Sequence, residues 1–233
     1  MYKRQAKIQA ENLRRQTARE SAKQKIEAHW ATSKQVLAES KVGEGGSIPF
    51  DHKIYVRRGE LLLLTVFPND NHGADSTIVE WTIRETTGAQ RSLSVNEQIP
   101  QLLKGNPWPG EHNAAWSFLD TTSAPVFLTE NRDGISGVAA LKSWNLGSEP
   151  SVFVNDGDEE LKLWTTLPKK TVFVHPGHQR PVSVAWTSPI DGELQVTGRV
   201  ADAHPAGLDG IAFELSHHAA GDLGKALADQ GQI

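Results

Sequence analysis

Apolar and polar positions alternate most regularly between Thr171 and His217. In the run from Val182 to Trp186, Val182, Val184 and Trp186 face one way and Ser183 and Ala185 the other, the period of two of a half-buried strand. Ser188-Pro189-Ile190-Asp191-Gly192 then reverses the chain, because proline presets φ and Asp-Gly supplies a residue tolerant of positive φ. Leu194, Val196, Gly198 and Val200 alternate with Gln195, Thr197 and Arg199. A turn-rich loop from Ala201 to Asp209 leads to a last strand, Ile211 to Leu215. Upstream, Lys53 to Val56 predicts a short strand. Leu61 to Phe67 is a continuous apolar run of strand length, which implies burial on both faces. Thr77 to Ile83 alternates again, with Val79, Trp81 and Ile83 on one face and Ile78, Glu80 and Thr82 on the other.

Residues 86–168 carry shorter runs. Ser92 to Val95 reads as a strand or a turn, and Ile99 to Leu103 as a helical turn. Trp116 to Leu119, Val126 to Leu128 and Val138 to Trp144 read as strands, and Val152 to Val154 with Leu161 to Thr165 as a hairpin around Asn155 to Glu160. Strands at this spacing predict an all-β sandwich. The segment 86–168 reads as part of it, as an insertion or as a second lobe. At the start, Gln5 to about Ser40 lacks Pro and Gly and is rich in Ala, Gln, Glu, Lys and Arg, which predicts one long helix. Its thin stripe of Ala18, Ala22, Ile26 and Trp30 predicts a connector that rests Trp30 and Leu37 on the β body. Val42 to Ser47 is the expected boundary. This divides the chain into a basic helix over 1–41, a β module over 42–217 and the start of a second connector helix over 218–233.

Composition narrows the function. The 233 residues include seven Trp and no Cys, so disulfides, thiolate zinc sites, a cysteine nucleophile and a haem attached through C-x-x-C-H are all excluded. Residues 1–41 hold ten Lys and Arg against four Asp and Glu, about +6, which leaves about −10 on the rest of a chain whose net charge is −4. That balance gives no case for nucleic acid, and no run of about 18 apolar residues predicts a membrane span. No Gly-x-Ser-x-Gly elbow, phosphate loop or dinucleotide fingerprint occurs. His175 and His178 have H-x-x-H spacing, but Pro176-Gly177 puts them in a loop, and no metal site is assigned. Asp156, Asp158 and Glu160 read as an acidic turn.

The text VAWTSPIDGELQVTGRVADAHPAGLDGIAFEL, with His175-Pro176 before it and GELLLLTVFPNDNHGADSTIVEWTI earlier, resembles a module of large planctomycete-type proteins. Those proteins join cytochrome-c-like domains to conserved domains of unknown function. The resemblance covers roughly residues 50–217. It implies a jelly-roll-like β-sandwich similar to carbohydrate-binding modules, export to the periplasm or beyond, and haem only in a neighbouring domain. It brings no catalytic residue. Met1-Tyr2-Lys3-Arg4-Gln5 looks like the translation of a sequencing adapter, so the chain is expected to be a metagenomic fragment with flanking domains elsewhere in its parent.

A sugar site needs an aromatic platform and polar groups to order hydroxyls. Trp108, Trp116 and Trp144 lie near turns and are the expected platforms, whereas Trp81 and Trp186 sit inside strand alternation and are expected in the core. Asp70, His72 and Asp75 in one loop and Asp202, His204 and Asp209 in another are the expected polar partners, with their loops bordering one cleft. A weak internal echo links these loops: Gly59-Glu60-Leu61, His72, Asp75 and Glu80 run parallel to Gly192-Glu193-Leu194, His204, Asp209 and Glu214. The acidic loops leave calcium open as a bound ion, and equally the aspartates serve as caps of their own turns. The expected function is that of a noncatalytic accessory module binding polysaccharide. The competing expectations are a structural spacer and a part of a polysaccharide-acting enzyme.

Overall fold

A computed structural model describes residues 2–109, 115–204 and 209–219, apart from several side chains of the first helix, those of Ala18, Ala22 and Ile26 among them. The stripe expected on that helix therefore falls largely outside the described residues, as does the connector helix expected over 218–233, apart from His218, which ends a strand, and Ala219.

In chain order, helix α1 (Tyr2–Ser33) leads into β1 (Lys34–Val42), β2 (Ser47–Val56), β3 (Leu61–Pro68), β4 (Thr77–Glu85) and β5 (Ser92–Ser94). A single helical turn α2 (Ile99–Leu102) precedes β6 (Trp108–Pro109), β7 (Ala115–Asp120), β8 (Val126–Phe127), β9 (Glu130–Arg132), β10 (Leu141–Asn145) and β11 (Ser151–Asn155). Then come β12 (Leu161–Lys162), β13 (Thr166–Leu167), β14 (Thr171–His175), β15 (Val182–Thr187), β16 (Gly192–Asp202) and β17 (Ile211–His218). Two antiparallel sheets result. One runs β1-β17-β3-β15-β7-β6 with β8 beside β7. The other runs β2-β16-β4-β14-β11-β10-β9 with β5 beside β4. Strands between residues 92 and 155 extend both sheets.

The inner faces meet in one apolar core. Leu62, Leu64 and Val66 of β3 pack with Val79, Trp81 and Ile83 of β4, and the rings of Phe50 and Phe213 approach across the gap at 6.2 Å. The expected double burial of β3 has a second cause on the outer face. There Leu61 and Leu63 join Leu119, Phe127 and Ala185, and Trp30 of α1 packs onto them. Trp30 also stacks on His218 at the end of β17, with centroids 4.0 Å apart. The helix is thus held by its last turns, while residues such as Ile8 and Leu13 remain exposed.

Two local expectations are corrected. The helix ends at Ser33, not near Ser40, and Lys34–Val42 pairs with β17 from Lys34↔His218 to Val42↔Ile211. A segment of helix-compatible composition becomes a strand because pairing with a neighbour outweighs weak propensity. Residues 34–41 and Leu37 thus belong to the sandwich and not to the connector. Secondly, β11 pairs with β10 and β14, so it forms no hairpin with Leu161 to Thr165; β12 and β13 make a small hairpin of their own. The turn after β11 is acidic as expected, and Lys142 pairs with Asp156 while Lys170 reaches Asp158 at 3.3 Å.

Two glycines are required by close approach. Gly210, at φ +66°, would place a Cβ 2.1 Å from the Val42 carbonyl oxygen. Gly198 lies in the middle of β16, where a Cβ would meet the Glu80 carbonyl at 2.2 Å and the Phe50 ring at 2.4 Å.

Candidate functional site

Two crossings between the sheets run side by side at one end of the sandwich. Pro68 pairs with Ile211 in one sheet and Thr77 with Asp202 in the other. The loop from β3 to β4 and the loop from β16 to β17 therefore start and finish as neighbours. Asp209 ties them together. Its carboxylate Oδ2 accepts from the backbone N–H groups of Asp70 (2.7 Å) and Asn71 (2.9 Å), and its carbonyl accepts from Asn69 Nδ2 at 2.9 Å. The Ala203 N–H donates to the Ser76 carbonyl at 2.8 Å. Asp202 caps the far side, accepting from the N–H of His204 (2.9 Å) and of Gly45 (3.1 Å). The two expected polar loops are adjacent, and Asp202 and Asp209 do the turn-capping that their residue type allows.

Asp75 lies between them and is 2% exposed. Its Oδ2 meets no hydrogen-bond partner among the described residues. Burial first, then the carboxylates of Asp209 and Asp202, pushes its pKa up from 3.8 to about 7. Among the described residues no three His, Asp or Glu side chains stand together as a metal-ligand group.

Beside the loops opens a cleft of about 340 Å³. Trp164 and Phe153 form its apolar side, with ring centroids 5.4 Å apart at 58°, and Ile135 adds to it. Ser76, Glu149, His175 and His204 supply much of its polar lining. Trp164, at 40% exposed, is fixed by its Nε1–H, which donates to Ser76 Oγ at 3.2 Å; next to it Thr165 Oγ1 donates to the Ala203 carbonyl. The β12–β13 hairpin thus presents an aromatic face against the paired loops. His72 lies at the rim with Nε2 3.3 Å from Glu149 Oε2, and its ring is 6.5 Å from that of His175 and 5.7 Å from that of His178. Burial pushes the His175 imidazole below the ordinary histidine range against the pull of Glu149, with His72 and His204 lowering it further. His204 is lowered by burial, opposed by Asp202.

The expected platforms are elsewhere. Trp108, Trp116 and Trp144 are 1%, 0% and 7% exposed and belong to the inter-sheet core. Trp108 and Trp116 face each other across β6 and β7, their rings stacked at 6.3 Å, and Trp116 meets Trp81 edge-on at 5.3 Å. Trp144 donates its Nε1–H to the Leu102 carbonyl at 3.1 Å. None has a face for a ligand, and this corrects the sequence expectation; Trp81 and Trp186 are buried as expected. The aromatic that faces the cleft, Trp164, was missed, as were Phe153 and Glu149. The available signal was Leu163-Trp164, two bulky apolar residues in succession with no alternation, between an acidic turn and Pro168.

Of the expected polar residues, His204 lines the cleft, His72 sits at its rim, and Asp75, Asp202 and Asp209 lie behind it in the loop pair. Asp70 is exposed and contributes its backbone N–H. Glu149 is the one carboxylate among the described lining residues. The paired carboxylates that glycoside hydrolysis needs across a bond are therefore not found there among the described residues. In comparisons with known proteins, no family model, no curated protein and no solved structure matches the chain.

Proposed function

We propose that this chain is a noncatalytic binding module of jelly-roll-like design, and that the cleft beside Trp164 takes a carbohydrate segment. The observation that carries this reading is the large aromatic face left open to solvent in a groove that also carries polar groups, while five other tryptophans are buried in the core. Burying Trp164 against the apolar face of a sugar recovers the area it exposes. The exposed Ser148 hydroxyl and the imidazoles of His175 and His204, which burial holds toward their neutral forms, offer hydrogen bonds to hydroxyls. The volume is that of a small-ligand site. On the planctomycete-type resemblance, the module serves a larger exported, cytochrome-associated protein and directs neighbouring domains to polysaccharide.

The test is a glycan-array screen of the full chain, followed by titration of any hit against Trp164→Ala and Trp144→Phe. Trp164→Ala abolishes binding with an unchanged melting temperature, whereas Trp144→Phe leaves binding intact. Folded wild type that binds no glycan overturns the reading in favour of a spacer. That second reading is favoured by α1, whose exposed N-terminal half projects from a dock made by Trp30.

A further inference from the structure

The charges around the cleft narrow its ligand. No Lys or Arg is among its described lining residues. Residues 205–208, the undescribed part of the neighbouring loop, read Pro-Ala-Gly-Leu and bring no charge. Arg180, the guanidinium nearest Glu149 in the hydrogen-bond network, is committed elsewhere: its Nε and Nη2 donate to Asp120 Oδ2 at 3.1 and 2.7 Å, and its Nη1 to the Glu149 carbonyl. The formal charge on the described lining is that of Glu149, whose side chain is 33% exposed and so within reach of a ligand. His175 and His204 are held toward their neutral forms by burial. Behind them, Asp202 and Asp209 add negative potential. Such a groove, walled by low-dielectric aromatic rings, focuses a negative field. Trp164 and Phe153 present π faces that attract a cation in their own right.

We infer that the cleft selects sugars bearing a protonated amine and rejects sugar acids. The inference rests on the carbohydrate reading above and names the sugar class. An ammonium group inserted beside Trp164 places its positive charge near Glu149 while the sugar's apolar face covers the indole. A neutral N-acetylated sugar keeps the stacking and loses the charge attraction. A uronic acid brings a carboxylate beside Glu149 into a site whose described lining holds no Lys or Arg.

Three oligosaccharides of equal length separate these outcomes: glucosamine, N-acetylglucosamine and galacturonate oligomers, titrated calorimetrically into the full chain at pH 6.5 and low salt. The expected order is glucosamine about tenfold tighter than N-acetylglucosamine, with galacturonate unbound. Glu149→Gln, which keeps a hydrogen-bond acceptor for His72, brings the first two within about twofold of each other while the binding of the acetylated oligomer persists. Raising salt narrows the same gap, as expected of a charge effect. Equal affinity for the amino and acetylated sugars, or tighter binding of galacturonate, overturns the charge inference and leaves carbohydrate binding standing. Absence of binding by all three, with no hit on the wider array, overturns both.

Discussion

Replacing Asp75 by asparagine tests the electrostatics of the loop pair. The side chain is buried with Oδ2 unpartnered among the described residues, and its pKa is pushed from 3.8 to about 7 by burial and by Asp209 and Asp202. The folded state therefore holds this proton more tightly than the unfolded chain. Below about pH 4 both states are protonated and the group costs nothing. Between pH 4 and 7 the unfolded chain ionises while the folded one does not, so stability falls as pH rises, and above pH 7 the loss is constant. Roughly three pKa units at 1.36 kcal/mol each give a loss of about 4 kcal/mol. Asparagine is nearly isosteric and cannot ionise. The stability of the Asp75→Asn variant minus that of wild type should therefore rise by up to about 4 kcal/mol between pH 4 and 7 and then level off. Urea unfolding at unit pH steps measures it. Histidines with lowered pKa give the opposite slope but occur in both proteins, so they cancel in the difference. A difference that stays constant from pH 4 to 8 would refute the reasoning.

Two further perturbations probe other parts of the fold. Gly198→Ala drives a methyl into the Glu80 carbonyl and the Phe50 ring and should destabilise by about 3 kcal/mol, whereas Gly43→Ala, with nothing within 4 Å of its Cβ, should change little; thermal melts compare the two. His218 is 1% exposed between Trp30, Ser33 and Ser216, and burial first, then Lys34, His217 and His29, pushes its pKa down from 6.5 to about 3. Its contribution is complete above pH 6.5 and is lost progressively as pH falls toward 3, so His218→Gln should flatten the acid limb of the urea midpoint against pH. An acid limb of unchanged slope would contradict this.

How much of this was legible in the sequence depends on which interactions decide each feature. Period-two alternation placed β4, β15 and β16, and put Trp81 and Trp186 inside, because a strand with one face in the core writes its burial locally. Leu61 to Phe67 announced burial on both faces without naming Trp30 as the outer cover. Trp116 and Phe118 alternate on β7 in the same way, and that signal outweighs the nearby turn that suggests a platform. Lys34 to Val42 has no comparable pattern: it is a strand because β17 has an open edge beside it. The nearness of loops 69–75 and 202–209 follows from which strands are neighbours in each sheet. Their polar character was visible, but their capping by Asp209 was not. The cleft was the least legible, since Phe153, Trp164 and Glu149 come from three separate segments brought together by sheet order.

Besides Gln98 Oε1, the buried side-chain atoms without a hydrogen-bond partner among the described residues fall in two settings that differ. In the core, the indole nitrogens of Trp81, Trp108, Trp116 and Trp186 lack an acceptor among the described residues. The rings of Trp81, Trp108 and Trp116 meet one another and Phe118 in edge-on, stacked and tilted contacts, and Trp186 is buried in the same core. At the loop end, Asp75 Oδ2 and His175 Nδ1 are also unpartnered among the described residues, but here His175 lines a groove open to solvent with a half-exposed tryptophan on its wall, and Asp75 is buried behind it. Local rules are commonly broken where a site needs groups held ready for something outside the chain. A groove that keeps two imidazoles toward neutrality, leaves one carboxylate within reach and holds Trp164 by a hydrogen bond to Ser76 already has the polar and aromatic parts of a recognition surface. The same features would only weaken a spacer, which needs neither an exposed indole nor a desolvated acid at its end. That asymmetry favours binding over scaffolding for this end of the sandwich.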